Sequence, residues 1–428
     1  MKILFDMYPA KGHFNASLKL AKLLRDSGHK IYYCSILLNL SSFIEKHDFG
    51  FYGLSNDFKI QTNREKISCV IKEYDLLIHK ISPDMVLLDQ QHMNKYILYK
   101  KNNIQVCALQ TMPATKKERN VPPFTSFFIP RNNILSVIYT EILWQKYFLQ
   151  EFIQKQYYNI KHRDLLLKNL AIQSGVSLGE IDDNRCFSIH FKGVPELILS
   201  PAAFDFPRKE EKNRYFIGPL CDIVRDVKIV DERYIVIRDK IINQKKENPD
   251  MKFIYCSLGT ITKEFFSKCD IFFRKIKKVC LKNSDYNIVI SVGSHYEIER
   301  LVPLPKNMFI FSSLPQTDIL RHVDMMITHG GMNSITECIY NEVPMLVYPL
   351  SLHWDQPGNS ARVLYHGLGY RGRISRDAIS VIERKISKVL DESDRIKNNL
   401  KKLKQKFELN NNSTQVVDII ENLKENDE

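Results

Sequence analysis

The chain lacks the features that mark disulfide-rich, zinc-binding or membrane-spanning proteins. Its nine cysteines are odd in number and widely spaced, and they include no Cys-x-x-Cys pair. This argues against a disulfide framework or a zinc site and for a reducing compartment. No apolar run approaches the length of a membrane span, and the apolar part of the start, MKILFDMYPAKGHFN, is too short for a signal peptide. We therefore expect a cytoplasmic protein.

A formal net charge of +13 is the unusual global property. Such an excess suits an anionic ligand, a membrane surface or nucleic acid, and equally suits lysines spread over solvated helices. The basic runs are scattered, as RKIKK (274–278) and RIKNNLKKLKQK (395–406) illustrate, and no nucleic-acid-binding signature accompanies them. Nucleic acid is therefore not expected as a partner.

The length and the alternation of apolar segments predict two α/β domains. A chain of 428 residues is long for a single core and suits two domains of about 200 residues. Short apolar runs alternate with amphipathic segments, an order typical of doubly wound parallel sheets. A stretch of mixed charge separates the two alternating regions. We expect an N-terminal domain over 1–220, a linker over 221–234, a C-terminal domain over 235–405 and a helical tail over 406–428.

Polar loops follow the strands of both predicted sheets. Ligands of such sheets bind beyond the carboxyl ends of the strands, where the sequence places PAKGHFN, DQQH, SLGT, LPQ and THGG. The last of these opens THGGMNSITE (328–337), which follows an apolar run and leads into a helix. A helix N-terminus attracts anions, phosphates above all. Asn333 and Glu337 are four residues apart on one helix face, so this loop is a candidate site for a phosphate and a hydroxyl-rich group.

The stretch from His329 to Val363, HGGMNSITECIYNEVPMLVYPLSLHWDQPGNSARV, closely resembles the nucleotide-sugar signature of the family 1 glycosyltransferases. The family pattern runs His-x-Gly-x-Asn-Ser-x-x-Glu, then Val-Pro, then Asp-Gln-x-x-Asn, and every element stands here at its spacing. PAKGHFNASLKLAKLLRDSGHKI resembles the family's Gly-His-x-Asn opening, and PDMVLLD resembles the strand before its catalytic acid. SLGT and LPQTDIL resemble two donor loops. The likeness covers nearly the whole chain and is weakest between residues 113 and 190.

The resemblance implies the GT-B fold, with two Rossmann-like doubly wound domains facing across a cleft. The N-terminal domain would hold the acceptor and the C-terminal domain a UDP- or dTDP-sugar. His13 stands at the family's general base, and Asp89 stands at the acidic partner that orients it. Asp84 is a less favoured alternative, because it lies at the start of that strand. The implied reaction is inverting transfer of a hexosyl group, with glucose preferred, to a hydroxyl of a small hydrophobic acceptor.

The same resemblance implies a donor site in the C-terminal domain. We expect no metal or other cofactor, because the helix N-terminus and His329 would neutralise the diphosphate and no Asp-x-Asp motif stands near a donor strand. The implied donor-binding set is Ser257, Thr260, His329, Gly331, Asn333 and Ser334 at the phosphates, Leu314 and Gln316 at the base, Glu337 at the ribose, and Trp354, Asp355 and Gln356 at the sugar.

The sequence leaves two questions undecided, namely which nucleotide base the donor carries and which acceptor is used. Many relatives place an aromatic residue at the position of Ser313, where it stacks on uracil, so a thymine base or weaker base selectivity is an alternative. The aromatic segment PPFTSFFIPRNNILSVIYTEILWQKYFLQEF either builds the pocket of an apolar acceptor or forms an ordinary helical core. It could also rest on a membrane surface, which liposome co-sedimentation would detect.

A second class of function is a GT-B protein that binds a nucleotide sugar but serves as an inactive partner. The joint presence of His13, Asp89, Glu337 and the Asp355–Gln356 pair favours the enzyme, because a binding module has no need of a base. Measured sugar transfer separates the two classes.

Overall fold

The computed structural model describes residues 1–55, 64–157, 161–179, 181–187, 189–220, 231–259, 263–293, 295–410 and 413–425. The chain divides into two compact units. The first unit comprises Met1–Pro123, Pro130–Leu220 and Leu409–Glu428, and the second comprises Phe124–Ile129 and Cys221–Glu408. Most of the predicted linker, residues 221–230, lies outside the described residues.

The first unit contains a parallel sheet with strand order β3-β2-β1-β4-β5-β6-β7. The order reverses between the neighbours β1 and β4, and in open α/β sheets such a reversal marks the ligand crevice at the carboxyl ends. The strands are β1 (Lys2–Asp6), β2 (Lys30–Ser35), β3 (Gly50–Gly53), β4 (Met85–Asp89), β5 (Gln105–Gln110), β6 (Glu196–Ile198) and β7 (Arg214–Phe216).

Helices cover both faces of this sheet, because its strands are apolar on both sides. Ile3 and Phe5 of β1 belong to one buried cluster, and Leu4 between them belongs to the other, as the two-residue period of a strand requires. The helices in this part of the chain are α1 (Lys11–Asp26), α2 (Ser41–Glu45), α3 (Arg64–Ile81), α4 (Tyr96–Lys101), α5 (Ile134–Tyr157) and α6 (Lys161–Ser174).

The second unit repeats the plan with the order β10-β9-β8-β11-β12-β13. All the pairings are parallel, and the order reverses between β8 and β11. Its strands are β8 (Lys252–Ser257), β9 (Tyr286–Ser291), β10 (Met308–Phe311), β11 (Met325–Thr328), β12 (Met345–Val347) and β13 (Gly369–Arg371). The helices are α7 (Arg233–Glu247), α8 (Phe266–Lys282), α9 (Gln316–Ile319), α10 (Met332–Tyr340), α11 (Gln356–Tyr365), α12 (Ile379–Asp391) and α13 (Ser393–Asn410).

The final helix, α14 (Ser413–Glu425), returns to the first unit. Val416, Val417, Ile420 and Leu423 join the buried cluster that contains β1 and α1. The predicted tail over 406–428 thus contributes apolar side chains to the core of the first unit, a contact that the sequence did not indicate.

The helical part of the aromatic segment forms α5, which has both buried and exposed apolar side chains. Trp144 is buried, and its indole N–H donates to the carbonyl oxygen of Val121 at 2.8 Å. Elsewhere on α5, Ile138, Ile142 and Phe152 are more than half exposed. Within the described part of the chain, no helix is both long and apolar enough to cross a membrane, and the cysteines are free thiols. A peripheral membrane contact stays a prediction.

Candidate active site

His13 and Asp89 meet at the point where the strand order of the first sheet reverses. Asp89 is the last residue of β4, and His13 lies in the first turn of α1. Nδ1 of His13 lies 2.6 Å from Oδ2 of Asp89. The other carboxylate oxygen of Asp89 accepts the backbone N–H of Gln91 at 2.9 Å, which caps a short 3-10 helix over Gln90–Lys95. Both oxygens of Asp89 are therefore held in place.

The charge on Asp89 fixes the orientation of His13. Asp89 is fully buried, and burial alone would raise its pKa, but the contact with His13 and the surrounding hydrogen bonds hold the pKa below its ordinary value. An ionised carboxylate only accepts hydrogen bonds, so His13 donates its Nδ1 proton to Asp89. The lone pair of His13 then resides on Nε2, where the amide nitrogen of Gln91 lies 3.3 Å away. A neutral imidazole in this tautomer is equipped to take a proton at Nε2.

Asp84, the alternative to Asp89, lies at the other end of the sheet. Its Oδ2 accepts the backbone N–H of Lys2 at 2.6 Å, beside the start of β1. The structure therefore brings Asp89, and not Asp84, to His13.

The sequence analysis missed a second ionisable group at this edge. Asp6 ends β1, is fully buried and accepts a hydrogen bond from Nζ of Lys95 at 2.8 Å. His92 also approaches Asp6, at 3.2 Å. The available signal was the run ILFD, because it ends on an aspartate just as VLLD of β4 does.

In the second unit, the loop between β11 and α10 has the form expected of an anion site. Gly331 is the N-cap of α10, and Gly330 adopts a positive φ of 90° that suits glycine. The His329 ring packs against two glycines: a Cβ atom on Gly259 or Gly331 would approach it to 2.5 Å or 2.7 Å. Gly331 thus opens α10 next to this ring, and the N-terminus of a helix can bind an anion.

His329 has unmet hydrogen-bonding capacity. Its Nδ1 is buried and has no hydrogen-bond partner among the residues that the structure describes. Burial lowers the pKa of His329 to about 4, so the ring is neutral at pH 7 in the unliganded protein. The resemblance implies that His329 helps to neutralise a diphosphate. The neutral ring offers a diphosphate only an uncharged N–H donor, unless the bound anion raises the pKa of His329 and protonates it.

Gln316 connects two of the predicted donor residues. Its Nε2 donates to Oγ of Ser334 at 3.0 Å and to Oε2 of Glu337 at 2.7 Å. Glu337 lies on a helix but is only 2% exposed, so its carboxylate is not on the protein surface. The structure thus brings together Gln316, Ser334 and Glu337 from two helices, α9 and α10.

Polar side chains in and after the loop before α11 form hydrogen bonds within the protein. Oε1 of Gln356 accepts the backbone N–H groups of Leu350 and Ser351 at 2.8 and 3.1 Å, so only its amide NH₂ remains for a sugar. Asp355 Oδ2 accepts from the side chain of Asn359 at 2.7 Å. Trp354 is 44% exposed. The roles of these side chains toward a sugar stay predictions.

The remaining predicted donor residues lie near the carboxyl ends of the second sheet. Ser257 ends β8, and its Oγ lies 3.4 Å from the backbone nitrogen of Gly259. Leu314 precedes α9, and the exposed Ser313 stands beside it. Asn333 lies in the first turn of α10. Thr260 falls outside the described residues.

The chain is similar in sequence to proteins that are named nucleotide-sugar transferases. The family described as UDP-glucoronosyl and UDP-glucosyl transferase matches residues 294–407. The uncharacterized UDP-glucosyltransferase YojK of Bacillus subtilis (strain 168) is 33% identical over 130 residues, which covers 28% of this chain and 30% of that relative. The NDP-glycosyltransferase YjiC of the same organism is 22% identical over 420 residues, covering 93% of this chain and 92% of the relative.

These matches show that the chain is similar to nucleotide-sugar transferases, most clearly over residues 294–407. Solved structures show the fold. The glycotransferase of kitacinnamycin matches with a TM-score of 0.68 at 19% identity, covering 99% of this chain and 98% of its own. The glycosyltransferase VinC, described in complex with dTDP, matches with a TM-score of 0.64 at 13% identity and covers 100% of both chains. The fold is therefore GT-B, as the sequence predicted.

The similarity of this chain to the matched proteins is uneven along its length. The matched family segment contains α10 and α11 with the whole signature loop. The alignment with YojK spans less than a third of that relative's length, whereas the alignment with YjiC is nearly complete at lower identity. The family match thus lies wholly within the second unit.

Proposed function

We propose that the protein is an inverting glycosyltransferase that moves a hexosyl group, glucose in the first instance, from a UDP- or dTDP-sugar to a hydroxyl of a small hydrophobic acceptor. The observation that carries the proposal is the 2.6 Å contact between His13 and Asp89 in a chain with the GT-B fold whose residues 294–407 match this family. An inactive sugar-binding partner has no need of a buried carboxylate that orients an imidazole.

The proposed step is a single displacement. The acceptor O–H gives its proton to Nε2 of His13 as its oxygen attacks the anomeric carbon of the donor. The bond from that carbon to the diphosphate oxygen breaks on the opposite face, which inverts the anomeric configuration. Asp89 stabilises the imidazolium that forms. The leaving nucleoside diphosphate would be held by the first turn of α10 and by His329.

Donor selection in this proposal rests on the second unit. Glu337, held by Gln316 at 2.7 Å, would accept hydrogen bonds from the ribose hydroxyls. VinC is described with dTDP, and the YojK relative is named a UDP-glucosyltransferase, which supports testing both nucleotides. Ser313 leaves the base without the stacking aromatic of many relatives. We propose no metal cofactor, since neutral donors and a helix N-terminus suffice for a diphosphate.

The experiment that tests the proposal measures donor binding and sugar transfer. Wild-type protein is mixed with UDP-glucose or dTDP-glucose, with and without a panel of phenolic and macrolide acceptors. We expect Glu337→Ala to weaken binding of the preferred donor by about 10–100-fold, because a hydrogen bond to a charged group contributes roughly 1.5–3 kcal/mol. The exposed Glu299 provides the control, and Glu299→Ala should bind the donor like wild type. Absence of donor binding by wild type would overturn the proposal, and donor binding without transfer to any acceptor would favour the inactive partner.

A pH-dependent prediction follows from the neutral state of His329. Its pKa is about 4 in the unliganded protein, and a bound diphosphate favours the protonated ring and raises that pKa. Between the two pKa values binding must take up protons, so affinity for UDP-glucose should rise as the pH falls from 8 to 5. UDP-glucose is suited to this test because its diphosphate has no ionisation in this range.

Proton uptake is measured by calorimetry at pH 6 in two buffers of different ionisation enthalpy. Wild type should take up a fraction of a proton on binding UDP-glucose, and His329→Asn should take up none. Equal uptake by the two proteins would show that another group is responsible.

A further inference from the structure

A second histidine–carboxylate pair lies at the same sheet edge as the first. Nδ1 of His92 is 3.2 Å from Oδ1 of the fully buried Asp6. The two imidazoles are alike in exposure: 14% of the His13 side chain and 13% of the His92 side chain remain accessible. Each histidine is thus held by a buried carboxylate and keeps part of its ring within reach of a ligand.

The two carboxylates come from opposite faces of the sheet. Asp89 shares its face with Leu87, which packs in the cluster that contains α1, whereas Asp6 shares its face with Leu4, which packs in the cluster that contains α3 and α4. The strands β1 and β4 are neighbours in register. The two histidines therefore approach the same carboxyl edge from its two sides.

The Tyr8 ring is adjacent to both imidazoles. Its centroid is 5.2 Å from the His13 ring and 5.5 Å from the His92 ring. The separation of the imidazoles cannot exceed the sum of these two distances. Both imidazoles therefore lie close to the Tyr8 ring at one edge of the sheet.

The partners of Asp6 show that it is ionised. It accepts hydrogen bonds from Nζ of Lys95 at 2.8 Å, from the hydroxyl of Tyr74 at 3.0 Å and from the hydroxyl of Tyr99 at 2.8 Å. Burial works to raise the pKa of Asp6, but Lys95 and His92 together hold it well below its ordinary value. Because an ionised carboxylate only accepts hydrogen bonds, His92 donates its Nδ1 proton to Asp6.

The remaining ring nitrogen of His92 is therefore a hydrogen-bond acceptor. Burial and the nearby Lys95 charge lower the pKa of His92, against the opposing effect of Asp6, so the ring is neutral at pH 7. Its Nε2 lone pair is directed away from the carboxylate. Like His13, His92 presents an oriented acceptor nitrogen at this edge.

Gln90, in the turn between Asp89 and His92, is a buried polar side chain that could bind a ligand at this edge. It is 3% exposed, and neither its amide oxygen nor its amide nitrogen has a hydrogen-bond partner within the described ranges of the chain. An unsatisfied buried polar group costs about 1–3 kcal/mol. A polar ligand or an ordered water molecule that bonds the Gln90 amide would remove this cost.

We propose that His92 binds the acceptor. In this proposal Nε2 of His92 accepts a hydrogen bond from a second hydroxyl of the acceptor, while His13 takes the proton of the reacting hydroxyl. The inference rests on the proposed function and narrows its acceptor class to molecules with two neighbouring hydroxyl groups, such as aromatic diols. The Asp6–Lys95 pair does not touch the acceptor; it positions His92.

The test compares 4-methylcatechol with 4-methylphenol, which differ by one hydroxyl. The variant His92→Asn keeps an N–H that can reach Asp6 but lacks the Nε2 acceptor. We expect its KM for 4-methylcatechol to rise about 2–10-fold, as loss of one neutral hydrogen bond predicts, and to rise by a larger factor than its KM for 4-methylphenol. His366→Asn, in the second unit, is the matched control and should change neither KM. Melting temperatures of both variants check that the fold is kept.

Two outcomes would overturn the proposal. One is an equal rise of KM for both acceptors in His92→Asn, which a structural role would cause. The other is a wild-type enzyme without preference for the diol. To separate these from failure of the proposed function, the dissociation constants of both acceptors are also measured by calorimetry in the presence of UDP. A diol preference in binding that His92→Asn removes supports the site even where no transfer occurs.

Discussion

Replacing His13 by alanine or Asp89 by asparagine is expected to lower the rate of sugar transfer by about 10²–10⁴-fold, the usual contribution of a positioned general base. UDP affinity should stay at the wild-type value, because its proposed site lies in the second unit. Asparagine has the size of aspartate but only one acceptor oxygen. It therefore cannot accept both the Gln91 N–H at 2.9 Å and the His13 N–H at 2.6 Å.

Asp84→Asn is the matched control for this prediction. Asp84 is also an aspartate at an end of β4, but it bonds the backbone of Lys2 at the opposite edge. Its replacement should leave the initial rate within about twofold of wild type, as for surface changes remote from a site. Initial rates with saturating donor measure all three variants. A rate loss in Asp84→Asn as large as in Asp89→Asn would show that the fold, and not the dyad, is being affected.

The combination of the two substitutions adds a further check. If Asp89 acts only by orienting His13, then Asp89→Asn in the His13→Ala background should cause little further loss, because residues that act as one unit are strongly non-additive. Fully multiplicative losses would mean that Asp89 contributes by another route.

The resemblance to the family predicted that His13 and Asp89 form a pair, and two local signals agree with that prediction. An apolar strand run ending on an acidic residue identifies the carboxyl edge of the sheet, and a glycine-bearing turn before a helix places His13 at the same edge. Parallel strands bring their ends together without any long-range information. The same reasoning located the loop before α10, and the structure places Gly331 as its N-cap.

Other features needed tertiary contacts that no local pattern contains. The short strands β3 and β13, GFYG and GYR, are too brief and too rich in glycine to show a two-residue period. The packing of α14 in the first unit brings together residues that are separated in the sequence by the whole of the second unit. Gln316 and Glu337 are separated by 21 residues and meet only because α9 and α10 are neighbours.

Asp6 is a buried ionisable residue at the carboxyl edge of the first sheet that the sequence did not single out. Its run ILFD has the same form as the VLLD that identified Asp89, but the family pattern drew attention to the second and not to the first. Lys95 gave no signal at all, since a lysine in a polar turn usually remains in solvent. Only the structure shows it buried, at 2.8 Å from Asp6.

Replacing Lys95 by methionine is expected to destabilise the first unit by about 3–5 kcal/mol, because it leaves Asp6 as an uncompensated buried charge. Hydrogen exchange of the β1 and β4 amides measures this unit separately from the other. Lys245→Met removes a similar but partly exposed ion pair with Asp324, at 2.7 Å, and should cost at most about 1 kcal/mol in the second unit. Adding Asp6→Asn to Lys95→Met removes the orphaned charge and should restore part of the stability.

The pH dependence distinguishes a lost ion pair from a simple loss of packing. In wild type the folded-state pKa of Asp6 lies below its unfolded value, so its contribution is complete above the unfolded pKa, near 4, and is lost as the pH falls further. Without Lys95, burial dominates and raises the folded-state pKa above the unfolded one. The folded variant then binds a proton more readily than the unfolded chain, so Lys95→Met should lose less stability than wild type on acidification from pH 7 to 5. An equal pH dependence of the two proteins would mean that Lys95 contributes packing alone and that Asp6 does not depend on it for its charge.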